Sequence, residues 1–214
     1  MILLEQVSFD LVVACWLRAE LSSPRFRPRV AAALKRLCIP PRVIERPILT
    51  SPRENLQRQT ILTRYRADIC DTLPSDTRWW RGAISAGEFR RLRVINYPTW
   101  TVLSQGTGRL SKAAHTIAGE PVAVTRHSRW AHEARAVITH VREMHDQRKV
   151  ADIVKHHFIV MGRPGGKIWT ILEGNKRGTA LYLRCLLARI EPLPTSLQVF
   201  VGLTAKSFPW TRVR

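Results

Sequence analysis

The sequence predicts an α+β fold in which a helical, basic first third precedes a small sheet-containing body. Three observations carry this expectation. Early apolar residues recur at helical spacing, as in Leu4, Val7, Leu11, Ala14 and Cys15. The last third switches to two short runs rich in β-forming residues, 158–161 and 168–172, around the turn cluster Gly162-Arg-Pro-Gly-Gly166. A polar stretch bounded by Gly174 and Gly178 then leads into an apolar helix.

The elements follow in order. A helix is expected over residues 3–21, ended by Ser22-Ser23-Pro24. A second, over 28–37, puts Val30, Leu34 and Leu37 on one face and stops at Pro40-Pro41, because proline removes a donor and clashes with the preceding turn. A third spans 53–71, with Leu56, Ile61, Leu62, Tyr65 and Ile69 inward. Residues 72–80 read as a loop. Gly106 and Gly108 mark another loop, and helices are expected from Ser111 and over 128–150. The two β-runs form a hairpin, residues 173–178 a loop, 179–190 a helix and 197–201 a closing strand. The division expected is a helical basic extension over 1–58 and a second unit over 59–214.

The 214 residues hold 35 Lys and Arg against 16 Asp and Glu, a net charge of +19. Of the cations 28 are Arg, whose planar fork suits phosphate. Such a chain attracts nucleotides and nucleic acids. No apolar run reaches ~18 residues, which argues against a membrane span. Residues 1–21 carry Glu5 and Asp10 and no leading cation, unlike a signal peptide. Cys15, Cys38, Cys70 and Cys185 make no C-x-x-C pair, so reduced, mostly buried thiols in a cytoplasmic protein are expected. His156 and His157 are adjacent, and His127, His132, His140 and His145 lack i, i+4 spacing, so no metal site is expected.

The chemistry concentrates at residues 173–179. A strand running into a glycine-bounded turn and a helix offers unpaired N–H groups and a positive dipole to an anion. Gly174 permits close backbone approach, Lys176 and Arg177 add charge, Thr179 adds a hydroxyl, and Glu173 can take a hydroxyl proton. Trp100 precedes the 104–108 loop and is a candidate stacking face, with Thr107 and Arg109 as further phosphate contacts.

Residues Ile171-Leu-Glu-Gly-Asn-Lys-Arg-Gly-Thr-Ala-Leu181 resemble the Gly-x-x-Arg-x-x-Ala segment of the ParB/sulfiredoxin-like superfamily, with Gly174, Arg177 and Ala180 on its fixed positions. Arg109 and the following Leu-Ser-Lys-Ala-Ala-His-Thr-Ile are similar to that superfamily's first motif. The run from Pro74 to Trp79, the run from Trp100 to Thr107 and the late Gly202-Leu203 to Trp210 are similar to a bacterial branch of it. The resemblance covers roughly residues 60–214. It implies a small ParB/sulfiredoxin-like mixed-sheet domain that binds a nucleotide. ATP or CTP with Mg²⁺ is the implied cofactor, contacted by Gly174, Asn175, Lys176, Arg177 and Thr179. Phosphoryl transfer to a small hydroxylated acceptor, with Glu173 as the catalytic acid–base, is one implied activity. A ParB-like DNA- or RNA-binding or regulatory module without catalysis is another, and a homodimer is compatible with either. Asn175 stands where sulfiredoxins carry a reactive Cys. Glu173-Gly-Asn-Lys-Arg177 is also similar to the end of the Fic motif of AMP- and phosphate-transferring enzymes, although Trp169 occupies the position of its His. The sequence places the pocket between the Gly106 loop and residues 173–177.

Overall fold

The computed structural model describes residues 1–24, 26–119 and 130–211. Six strands make one mixed sheet: β1 (Ile2–Val7), β2 (Arg78–Ser85), β3 (Arg93–Val94), β4 (Phe158–Gly162), β5 (Thr170–Glu173) and β6 (Ser196–Leu203). Their order is β1-β2-β6-β4-β5-β3. The pairs β1/β2, β2/β6 and β4/β5 are antiparallel, while β6/β4 and β5/β3 are parallel. All five residues of β4 are buried, as a central strand covered on both faces requires. Each large side chain there contributes roughly 1.5–3 kcal/mol by leaving water.

Ten α-helices surround the sheet among the described residues. The first four are α1 (Phe9–Leu21), α2 (Arg27–Arg36), α3 (Arg42–Glu45) and α4 (Pro52–Cys70). Short α5 (Ala86–Phe89) and α6 (Pro98–Leu103) precede α7 (Leu110–Ala118) and α8 (Ala131–Gln147). The short α9 (Val150–Ile153) leads to β4, and α10 (Asn175–Tyr182) follows β5 and passes into a π-helical turn, Leu183–Leu187.

The physical causes are local and legible. Ser8 caps α1, its Oγ accepting the Leu11 N–H, and Val12, Val13, Trp16 and Leu17 form the buried stripe. Ser51 caps α4 in the same way, with Pro52 in the first turn, where its missing N–H costs nothing. Ile61 and Leu62 of α4 join the core with α1. At Arg66 the backbone leaves helical geometry (φ −128°, ψ 31°), and this kink lies at the site described below.

The hairpin, the helix at 110–118 and the closing strand match expectation, as does the helix near 53–71, except that Leu56, expected inward, is exposed because it lies on the solvent side of α4. Other expectations are corrected. Residues 2–7 are an edge strand paired with β2, and the first helix begins only at Phe9. The expected loop over 72–80 ends in strand β2, whose eight residues pair with β6. The helix expected from 179 starts at Asn175, so residues 175–178 are its first turn. The start of the helix expected at 128, and His127, lie outside the described residues. Residue 58 falls inside α4, and one continuous apolar core runs from Val12 to Phe208. Cys38 is exposed, against expectation, because it sits in a left-handed turn (φ 51°) after α2. No helix among the described residues is long and apolar enough to cross a membrane.

Candidate functional site

Strand β5 ends at Glu173, and the chain turns at Gly174 in the left-handed region (φ 100°, ψ 10°) before α10 begins. A Cβ there would lie 2.6 Å from Phe158 Cδ1 and 3.1 Å from Arg177 Nη2, so only glycine fits. The α10 N-terminus therefore sits directly at the strand end, with its first N–H groups available to an anion.

The first turn of α10 divides its labour. Asn175 is buried: its Oδ1 accepts the Ile95 N–H at 3.0 Å, and its Nδ2 donates to Ile171 O at 3.1 Å and Leu172 O at 3.4 Å. Thr179 is fully buried and donates to Asn175 O at 2.8 Å. Arg177 donates to the carbonyls of Ile153 (3.4 Å), His156 (2.5 Å) and His157 (3.2 Å) and to Glu173 Oε2 (2.5 Å). Its guanidinium also lies 4.8 Å from the centroid of Phe158. These contacts make it the keystone of the turn before β4. Lys176 points the other way, its Nζ 5.4 Å from the Phe26 ring centroid.

A cleft of about 560 Å³ opens at this helix end. Glu173, Gly174, Asn175, Lys176 and Arg177 line it together with Trp100. Its far wall comes from the first third of the chain: Glu20 at the end of α1, Phe26 and Arg29 around the start of α2, and Tyr65 and Arg66 at the α4 kink. Tyr97 supplies a further aromatic face, and Arg148 and Lys155 supply cations. Its volume falls in the range of small-molecule and cofactor sites.

The location corrects the sequence expectation. The cleft lies between the 173–177 turn and the α1–α2–α4 unit, and the 104–109 loop does not line it. Thr107 instead closes its own turn, donating to Ser104 O at 2.7 Å, and Arg109 stands at the N-cap position of α7, where its backbone makes an isolated antiparallel bridge with Arg93. Thr179 is likewise behind the cleft, beneath the first turn of α10.

Glu20 was not singled out from sequence. It is 3% exposed and lines the cleft, with Oε1 accepting from Trp16 Nε1 at 3.2 Å and from Arg66 Nη1 at 3.4 Å. Burial, and then the negative charge of Glu173, push its pKa up to about 7 against the pull of Arg66. The available signal was an acid at i+4 from Trp16 on an otherwise apolar helix face. Tyr65 is pushed up by burial and by Glu20, and its hydroxyl is sealed from solvent with no hydrogen-bond partner among the described residues. Burial and the Arg177 charge lower His156 to about 4. Burial and the Lys176 charge lower His140.

Among the described residues there is no group of three or more His, Cys, Asp or Glu placed to hold a metal ion. No protein-family model matches the chain, and no curated protein or solved structure is significantly similar to it.

Proposed function

We propose that the protein binds a nucleoside triphosphate in this cleft and transfers its terminal phosphoryl group to a hydroxylated acceptor, as a ParB/sulfiredoxin-like domain with a helical cover. The observation that carries this reading is the left-handed Gly174 cap, which opens the N-terminus of α10 into a cleft that combines cations with aromatic faces. Phosphates lie at the α10 N-terminus and on Lys176, while the base packs against Phe26, Tyr97 or Trp100. ATP or CTP enters with Mg²⁺ as its counter-ion, so the metal arrives as part of the substrate.

Catalysis is then mainly positioning and charge neutralisation. The acceptor oxygen attacks the γ-phosphorus and an O–P bond forms. The bond to the β–γ bridging oxygen breaks, and the diphosphate leaves with that oxygen. The acceptor's proton passes to a carboxylate. Glu20, with a pKa near neutrality, suits that transfer. Glu173, fixed by Arg177, orients the acceptor. A second reading, a regulatory or nucleic-acid-binding module without catalysis, rests on the +19 charge.

Calorimetric titration of MgATP, MgCTP and MgGTP tests the proposal. One nucleotide should bind selectively, and Lys176→Ala should weaken it about tenfold, or about 1.4 kcal/mol, with far less loss of stability than Arg177→Ala. Arg177→Ala should lose binding and stability together, because it also releases the carbonyls of residues 153, 156 and 157. Absence of binding by every nucleotide in folded protein would reject the reading.

A further inference from the structure

A second groove, of about 780 Å³, lies on the other side of α2. Arg18, Arg27, Lys35 and His156 line it, with Glu45 as its single carboxylate among the described residues and Leu34 and Ile39 among its apolar walls. Ser22 and His156 line both the groove and the nucleotide cleft, so the two hollows meet there. Helix α2 divides them, sending Arg29 to the cleft and Arg27 and Lys35 to the groove.

The charge pattern of this region is one-sided. The 24 residues from Leu21 to Ile44 contain six Lys or Arg and no Asp or Glu. On α2, Arg27, Ala31 and Lys35 follow at i, i+4 and i+8, one row along the helix. Eight residues of α-helix advance about 12 Å, so the two cations span more than one phosphate of an extended strand. Alanines at 31 and 32 hold no side chain that would keep a backbone away. The exposed positions of α2 carry no large apolar residue that would enter a lipid layer, which favours a polyanion over a membrane. Leu21, Ala31 and Pro41 give the groove accessible apolar surface, which favours a single strand, whose base faces are open to packing, over a duplex.

We infer that the α2 groove binds the phosphodiester backbone of a single-stranded nucleic acid, with one end of the strand running toward the nucleotide cleft. The strand's terminal hydroxyl is then the acceptor class for the phosphoryl group. That last assignment rests on the nucleotide reading of the cleft, whereas the groove's affinity for a strand does not.

The test is fluorescence anisotropy of a labelled 20-nucleotide single strand across a salt series. It compares wild type, Arg27→Ala/Lys35→Ala and a charge-matched control, Arg91→Ala/Lys167→Ala, at two exposed cations outside both hollows. Wild type should bind with a steep salt dependence, and the groove variant should lower the log–log slope by about 1.4, or roughly 0.7 for each phosphate that is no longer neutralised. The control should leave the slope near the wild-type value. Equal losses in both variants would show diffuse attraction by net charge and overturn the inference, as would absence of strand binding or tighter binding to duplex. Calorimetry with MgATP on the same three proteins separates the two claims. The groove variant should bind MgATP as wild type does. Strand binding without MgATP binding would reject the cleft reading while leaving the groove in place.

Discussion

Asn175 Oδ1 accepts the backbone N–H of Ile95 at 3.0 Å across 80 residues of sequence. The same side chain donates to the end of β5 through Ile171 O and Leu172 O, so one buried amide locks the helix that opens the cleft to two segments of the sheet. Residue 175 therefore fixes the α10 N-terminus at the cleft, with its own polar atoms already committed.

Asn175→Ala should cost about 1–3 kcal/mol, because it leaves the buried Ile95 N–H without a partner. Asn175→Asp should not restore stability at neutral pH, since it keeps the acceptor but discards both donors and buries a charge. Urea midpoints of the three proteins check this, and a midpoint for Asn175→Ala equal to wild type would refute it.

Gly174→Ala and Gly106→Ala form a matched pair. Both glycines have positive φ, at 100° and 76°. A Cβ at 106 meets nothing within 4 Å, whereas at 174 it collides with Phe158. Gly106→Ala should cost only left-handed strain, about 1 kcal/mol, and Gly174→Ala clearly more, with loss of nucleotide binding. Thermal melts and calorimetry read the two effects, and equal costs would show that the Phe158 contact relaxes freely.

Two groups of opposite sign shape the pH dependence of stability. Glu20 has a folded pKa raised from 4.5 to about 7, so its folded form holds the proton longer and stability falls as pH rises through that window. His156, depressed from 6.5 to about 4, does the reverse: stability is lost as pH falls from 6.5 toward 4. The Glu20→Gln variant should thus gain on wild type progressively from about pH 5 to about pH 8, while His156→Gln should flatten the acid side. Melting temperatures at unit pH steps would show it. A constant gap between Glu20→Gln and wild type would mean that Glu20 titrates ordinarily.

How much of this was legible in sequence depends on which physical signal dominated. The β4/β5 hairpin was readable because two β-branched runs flank a Gly-Pro turn. Strand β1 was not, because Ile2, Leu3 and Leu4 are exposed on an edge and merge with the helical spacing of α1. Strand β2 carries Arg78, Arg81, Gly82 and Ser85 among its tryptophans, and its partner β6 lies more than a hundred residues away. Residues 173–178 read as a loop because of their two glycines. Gly178 is in fact helical, and an added Cβ there would lie 3.3 Å from Ile171 Cδ1, so it marks close packing of α10 on β5. The 173–177 half of the cleft was visible in the motif. The Glu20–Tyr65–Arg66 half was not, because a kinked helix and the end of α1 bring it in from distant sequence.

The placement of β6 governs how the chain can be made. Among the described residues it is the last strand in sequence, yet it sits inside the sheet, between β2 and β4. A nascent chain that has emerged only as far as α10 leaves the facing edges of β2 and β4 without the strand that pairs with both. The pairing of Arg78 with Leu203 closes a loop of more than a hundred residues, after the other five strands have been made. Prematurely terminated products lacking residues 196–203 should therefore be captured by chaperones or aggregate, and a shortened form of this protein would be selected against at the ribosome before any ligand is met.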